Sequence, residues 1–150
     1  MSIITLDELK ALNGPVLGID PGSKTFGIAV SDTTRLIASP IETIKRKKFT
    51  KDAEQIFAHY DQKNCVAIII GYPINMDGSE GPRTQSVKDF ATNLTNLRDI
   101  PILFWDERLS TAAVTRTLLT ADASRAKRAE NVDKLAASYL LQGLLDRLRA

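Results

Sequence analysis

The sequence predicts an α/β fold, with five strands in one mixed sheet: an antiparallel three-strand meander, then parallel strands, flanked by helices. Three observations predict it. The apolar runs "VLGID" and "FGIAVSD" are separated only by Pro21-Gly22-Ser23-Lys24, a connection that suits an antiparallel hairpin. After residue 50, stretches of helical periodicity alternate with short apolar runs, the rhythm of crossover connections into a parallel sheet. One of those runs, "VAIIIGYP", is apolar at nearly every position, as a strand covered on both faces should be.

The elements follow in order. Leu6, Leu9 and Leu12 form a short amphipathic start that Asn13-Gly14-Pro15 stops. "VLGID" and "FGIAVSD" are the first two strands. "LIASPIETI" is the third, an edge or bulged strand, because Pro40 has no N–H to give a ladder. "TKDAEQIFAHYDQ" carries Ala53, Ile56, Phe57 and Tyr60 at helical spacing. "VAIIIGYP" is the fourth strand, "SVKDFATNLTNL" a helix and "IPILFWDE" the fifth strand. "TAAVTRTLL" and "VDKLAASYLLQGLLDRL" are helices, with the polar stretch "TADASRAKRAEN" between them. No repeat or linker divides the chain, so residues 1–150 are expected to form one domain.

A chain of 150 residues is long enough to bury roughly 70% of its unfolded surface. No apolar run approaches the ~20 residues that span a bilayer, and "MSIITLDELKALNG" lacks the basic start and long apolar stretch of a secretion signal. The expected setting is the cytoplasm, with no membrane partner. Cys65, the only cysteine, sits within an apolar run and reads as a buried small hydrophobe. His59 has no Cys or His at ligand spacing and reads as a packing or surface residue. Net charge is only +2, but cations cluster as Lys45, Arg46, Lys47 and Lys48, and as Arg125, Lys127 and Arg128. Each cluster is either a solvated face or a surface that collects phosphates.

Four acids are candidates for chemistry. Asp20 ends the first strand; Asp106 and Glu107 end the fifth; Asp133 aligns with Ala136, Ala137, Leu140 and Leu144, the apolar stripe of the last helix. Neighbouring strand residues point to opposite faces, so only one of Asp106 and Glu107 readily joins Asp20. Each acid also has a structural explanation. Asp before Pro-Gly is common turn chemistry, Asp106 suits a turn cap, Glu107 can pair with a base, and Asp133 near a helix start is favoured by the dipole. Gathered at one sheet end, however, three carboxylates repel unless protonated or bridged by cations. All-oxygen donors suit Mg2+ or Mn2+, and a pair of such ions ~4 Å apart can activate water and stabilise the leaving oxygen of a phosphodiester. The segment "GYPINMDGSEGPRTQSV" supplies Asn75, Ser79, Arg83, Thr84 and Gln85 as donors for phosphate and sugar groups.

The blocks "GIDPGSKTFGIAVSD", "IIIGYPINMDGSEGPRTQSVKDFA", "FWDERLST" and "NVDKLAASYLLQGLLD" together resemble the YqgF family, also called RuvX, described as a nuclease of pre-16S ribosomal RNA and as a Holliday junction resolvase. The resemblance implies a ribonuclease H-like fold. It also implies a hydrolase of ester bonds, with Asp20, Glu107 and Asp133 as catalytic and metal-binding acids, and Asp106 as the reserve ligand. Lys24 and Arg108 match basic positions of their blocks and would contact phosphate or steady the acids. Tyr72 stands where many relatives carry leucine.

The expected function is therefore a Mg2+- or Mn2+-dependent nuclease on structured nucleic acid. Precursor rRNA is the first expectation as substrate, with ribosomal particles as candidate partners. Branched DNA is the alternative, and a non-catalytic RNA-binding role in ribosome maturation a further one. In the first of these readings "TADASRAKRAEN" acts as a flap. Monomer and weak homodimer both stay open. "GIDPGSK" is also similar to the phosphate loop of actin-like ATPases, but such proteins close two halves on a nucleotide and this length holds one.

Overall fold

The computed structural model describes residues 3–22, 24–73, 77–106 and 125–149, with side chains from 133 onward in the last segment. Its strands are β1 (Val16–Pro21), β2 (Thr25–Ser31), β3 (Ala38–Lys45), β4 (Ala67–Tyr72) and β5 (Ile102–Asp106). They form one sheet of order β3-β2-β1-β4-β5. β1 pairs antiparallel with β2, and β2 with β3, whereas β4 runs parallel to both β1 and β5. The helices are α1 (Leu6–Ala11), α2 (Phe49–Gln62), α3 (Pro82–Leu97) and α4 (Arg125–Arg149). None of them is long and apolar enough to cross a membrane.

Residue alternation divides the sheet into two packed faces. Leu17, Ile19, Phe26, Ile28, Ile68 and Ile70 face α2 and α3, meeting Ile56, Phe90 and Leu94 there. Val16, Ala29, Ala67, Ile69, Leu103 and Trp105 face α1 and α4, meeting Leu9, Ala136, Ala137 and Leu140. Both central strands, β1 and β4, are buried along their whole length, which is why they read as unbroken apolar runs. β3 is an edge strand and carries Pro40. The register slips between Ile28 and Ala29, so this edge is irregular where proline removes a donor. Cys65 is buried, and burial pushes its thiol up to about 12. His59 is held by Glu42 of β3 at 2.5 Å.

Several boundaries differ from expectation. A capping box between Thr5 and Glu8 opens α1. α3 starts at Pro82, with proline at its first position, rather than at Ser86. Arg83, Thr84 and Gln85 therefore lie on a helix and not in a loop. α4 already runs from Arg125, so most of the polar stretch expected to be a flap is helix. Alanine, arginine, lysine and glutamate are strong helix formers, and a missing apolar stripe there does not mean a missing helix. The helix expected over 111–119, and residues 120–124 of the polar stretch, lie outside the described residues.

Candidate active site

Asp20 is the last residue but one of β1 and is 3% exposed. Its Cα partner on β2 is Gly27, and paired residues share a face of the sheet. On that face α4 comes down onto Gly27, so closely that an added Cβ would overlap the backbone carbonyl of Asp133. Asp133 therefore sits directly above the residue paired with Asp20. Thr25, two residues before Gly27 and on the same face, donates its hydroxyl to the Asp133 carboxylate. Gly18 repeats the device further along: a Cβ there would meet the Leu141 side chain at 3.1 Å. With Ala136 and Ala137 fully buried, small residues on both partners set how closely α4 lies on the sheet.

Two of the predicted acids, from opposite halves of the chain, thus lie at one end of the sheet on one face. Asp133 does not open its helix. It lies roughly two turns inside α4, beyond the first turn in which the dipole acts, so the helix-start explanation of this carboxylate does not apply. Asp106 pairs with Tyr72 and follows Trp105, which faces α4. Alternation accordingly turns Asp106 to the α2–α3 face, away from Asp20. Glu107 lies outside the described residues. Among the described residues, no three His, Cys, Asp or Glu side chains come together as a metal cluster.

The carboxyl ends of β1, β4 and β5 are the ends where ligands collect in open α/β sheets, and the two acids stand there. A family model described as "RuvX: Holliday junction resolvase" matches residues 14–147. The chain belongs to the RuvX family. Among RuvX relatives, a protein of Paramagnetospirillum magneticum named "Putative pre-16S rRNA nuclease" is 61% identical over 131 residues, covering 87% of this chain and 84% of the relative. One of the same name from Beijerinckia indica is 57% identical over 149 residues, covering 97% and 90%. A solved structure, Thermus thermophilus RuvC in complex with a Holliday junction substrate, superposes with a TM-score of 0.56 at 14% identity, covering 91% of this chain and 97% of that one. The RuvX chain has the ribonuclease H-like sheet that its motifs implied.

The predicted binding residues of this RuvX protein divide into four sets. Lys24, Lys45, Arg46, Lys47 and Lys48 are exposed and gather at the hairpin end that carries Asp20. Lys45 pairs with Thr25 and so shares the face of Asp133. Arg46 continues the ladder by donating its backbone N–H to Lys24 O at 2.9 Å. Arg83 reaches the same end from α3, donating to Pro21 O at 3.1 Å. Ser79 is exposed and turned onto Asp77, which accepts from both its backbone N–H and its hydroxyl. Asn75 and Arg108 lie outside the described residues. Arg125, Lys127 and Arg128 belong to the start of α4 by backbone alone.

Thr25 and Gly27 escape the sequence reading. Gly27 carried a usable signal, since a lone glycine inside a strand marks close approach of another backbone. Thr25 carried none, because its partner lies 108 residues away.

Proposed function

We propose that this RuvX chain is a divalent-metal-dependent nuclease on structured RNA, trimming the 5′ end of the 16S ribosomal RNA precursor in the cytoplasm. The observation that carries the proposal is the convergence of Asp20 and Asp133 on one face across Gly27. The names of relatives more than half identical over most of the chain support the RNA substrate.

The donor set fits a hard cation. It consists of carboxylate oxygens with a threonine hydroxyl bonded to one of them, whereas Cys65 lies in the α2–α3 core and His59 is engaged by Glu42. Asp20, Asp133 and Glu107 would hold Mg2+ or Mn2+. Such a cation supplies the charge that makes water a nucleophile at neutral pH and stabilises the leaving oxygen. Glu107 is chosen over Asp106 because Asp106 is turned to the α2–α3 face, away from Asp20.

The remaining work falls to the chain. Thr25 orients the Asp133 carboxylate. Burial of Asp20 keeps bulk water from competing for its oxygens. Lys24 and Lys45–Lys48, with Arg108 and the Arg125–Arg128 cluster, hold the RNA backbone as point charges. Cutting a four-way DNA junction is the second reading, favoured by the description of the family model.

One assay tests both: precursor 16S rRNA and a four-way junction are each incubated with the protein in Mn2+ or in EDTA. The proposal expects rRNA cleavage in Mn2+, none in EDTA, and none by Asp20→Asn. Cleavage undiminished in Asp20→Asn would overturn it.

A further inference from the structure

Behind the hairpin that carries Asp20, on the α2–α3 face, lies a cavity of about 160 Å³ whose floor is Pro21, Phe26, Val87 and Phe90. Its rim is cationic. Arg46 lies with its guanidinium carbon 4.5 Å from the centre of the Phe26 ring and donates to Gly22 O at 2.6 Å. Arg83 donates from α3 to Pro21 O at 3.1 Å. Phe26 is itself stacked on Phe90, with ring centres 4.7 Å apart, so Arg46 lies on a buried aromatic pair.

We propose that this cavity receives one unpaired base of the RNA strand being cut, an inference that rests on the nuclease reading above. Pro21 follows Asp20 directly, and alternation sends the two to opposite faces of the same strand end. A strand crossing the hairpin with a phosphate before Asp20 therefore has a neighbouring nucleotide within reach of the cavity. The lining selects the occupant. A lone phosphate would gain nothing from an apolar floor, and an uncharged apolar ligand would gain nothing from two guanidiniums. A nucleotide uses both, its base against the apolar floor or the open face of Arg46 and its phosphate on the remaining guanidinium N–H groups. The volume lies below the ~300–1,000 Å³ of sites that enclose drug-sized ligands, so it admits one base and not two. A base held in a duplex cannot enter a concave site, so the pocket would select an unpaired residue beside the cut.

The test is an abasic scan. A short labelled single-stranded RNA, and versions lacking one base at each position in turn, are titrated by fluorescence anisotropy in EDTA. The protein is used as wild type and as Ser86→Phe, which fills the cavity from its exposed side and leaves both arginine clamps. Ser86→Leu serves if the thermal midpoint shows Ser86→Phe to be unfolded. The proposal expects one position whose missing base weakens wild-type binding about tenfold, and no such position in the filled variant. It also expects Arg46→Gln and Arg83→Gln each to lower the salt slope of binding by about one. RNA binding with a flat scan in the wild type overturns the base pocket alone. Absence of RNA binding and of cleavage overturns the pocket and the nuclease reading together.

Discussion

A β-carbon at position 27 has no place to go, because the backbone carbonyl of Asp133 already occupies that space. Gly27→Ala must therefore push α4 off the sheet. It is expected to cost about 1–3 kcal/mol or more in urea denaturation, and to lower cleavage roughly 100-fold through a displacement of Asp133 on the ångström scale. Thr25 makes the subtler contribution. Thr25→Val removes the donor to Asp133 and is expected to weaken Mn2+ binding by about 10- to 100-fold. Thr25→Ser, which keeps the hydroxyl, should restore it, and calorimetric titration of the three proteins checks this. Away from the site, Asp32 accepts the backbone N–H groups of Ile37 and Leu36 and the Thr34 hydroxyl. These hold its carboxyl at about 2, below the ordinary 3.8, with the Ile37 bond the largest cause. A lowered folded value means that this stabilisation is complete above 3.8 and disappears as pH falls from there toward 2. Denaturation of wild type and Asp32→Asn across that window should show the wild type losing its advantage.

At the scale of elements, α4 carries one acid of the site on a helix whose contact face is built from small residues. Ala136 and Ala137 are fully buried, and Ala137→Leu is expected to cost about 1–3 kcal/mol by overpacking and to depress cleavage, since the same helix holds Asp133. Leu144→Ala, two turns further on, should cost about 2–5 kcal/mol through the cavity it leaves while sparing the rate of the folded fraction. Measuring stability and single-turnover cleavage in both variants separates the two effects. The elements also show what the sequence reveals and why. β1 and β4 were legible because burial on both faces leaves no polar position to confuse the pattern, and Asp20 was legible as the carboxylate that interrupts such a run. The start of α4 was not, because its alanine, arginine, lysine and glutamate favour a helix without an apolar periodicity to mark it. The first turn of α3 was hidden for a different reason: Gly81-Pro82 reads as a turn, and here it is a helix start. Thr25 owes its role to a helix more than a hundred residues away, a relation that no local pattern encodes, and Gly27 signals that a backbone comes close without saying which one.

Taken whole, the molecule places opposite charges at one end of its sheet. Net charge is only +2, but Lys24 and Lys45–Lys48 stand beside the strand end that holds Asp20, and Arg46 and Arg83 clamp the turn that follows it. Acids at the centre of a cationic rim can take part in cutting a phosphodiester only when a cation lies between the acids and the phosphate. The account consequently depends on metal binding more than on any other property. Calorimetric titration of the folded protein with Mn2+ is the direct measurement. The account predicts saturable binding that Asp20→Asn and Asp133→Asn each abolish while both variants stay folded. Failure of the wild type to bind Mn2+, or undiminished binding by either variant, would contradict it.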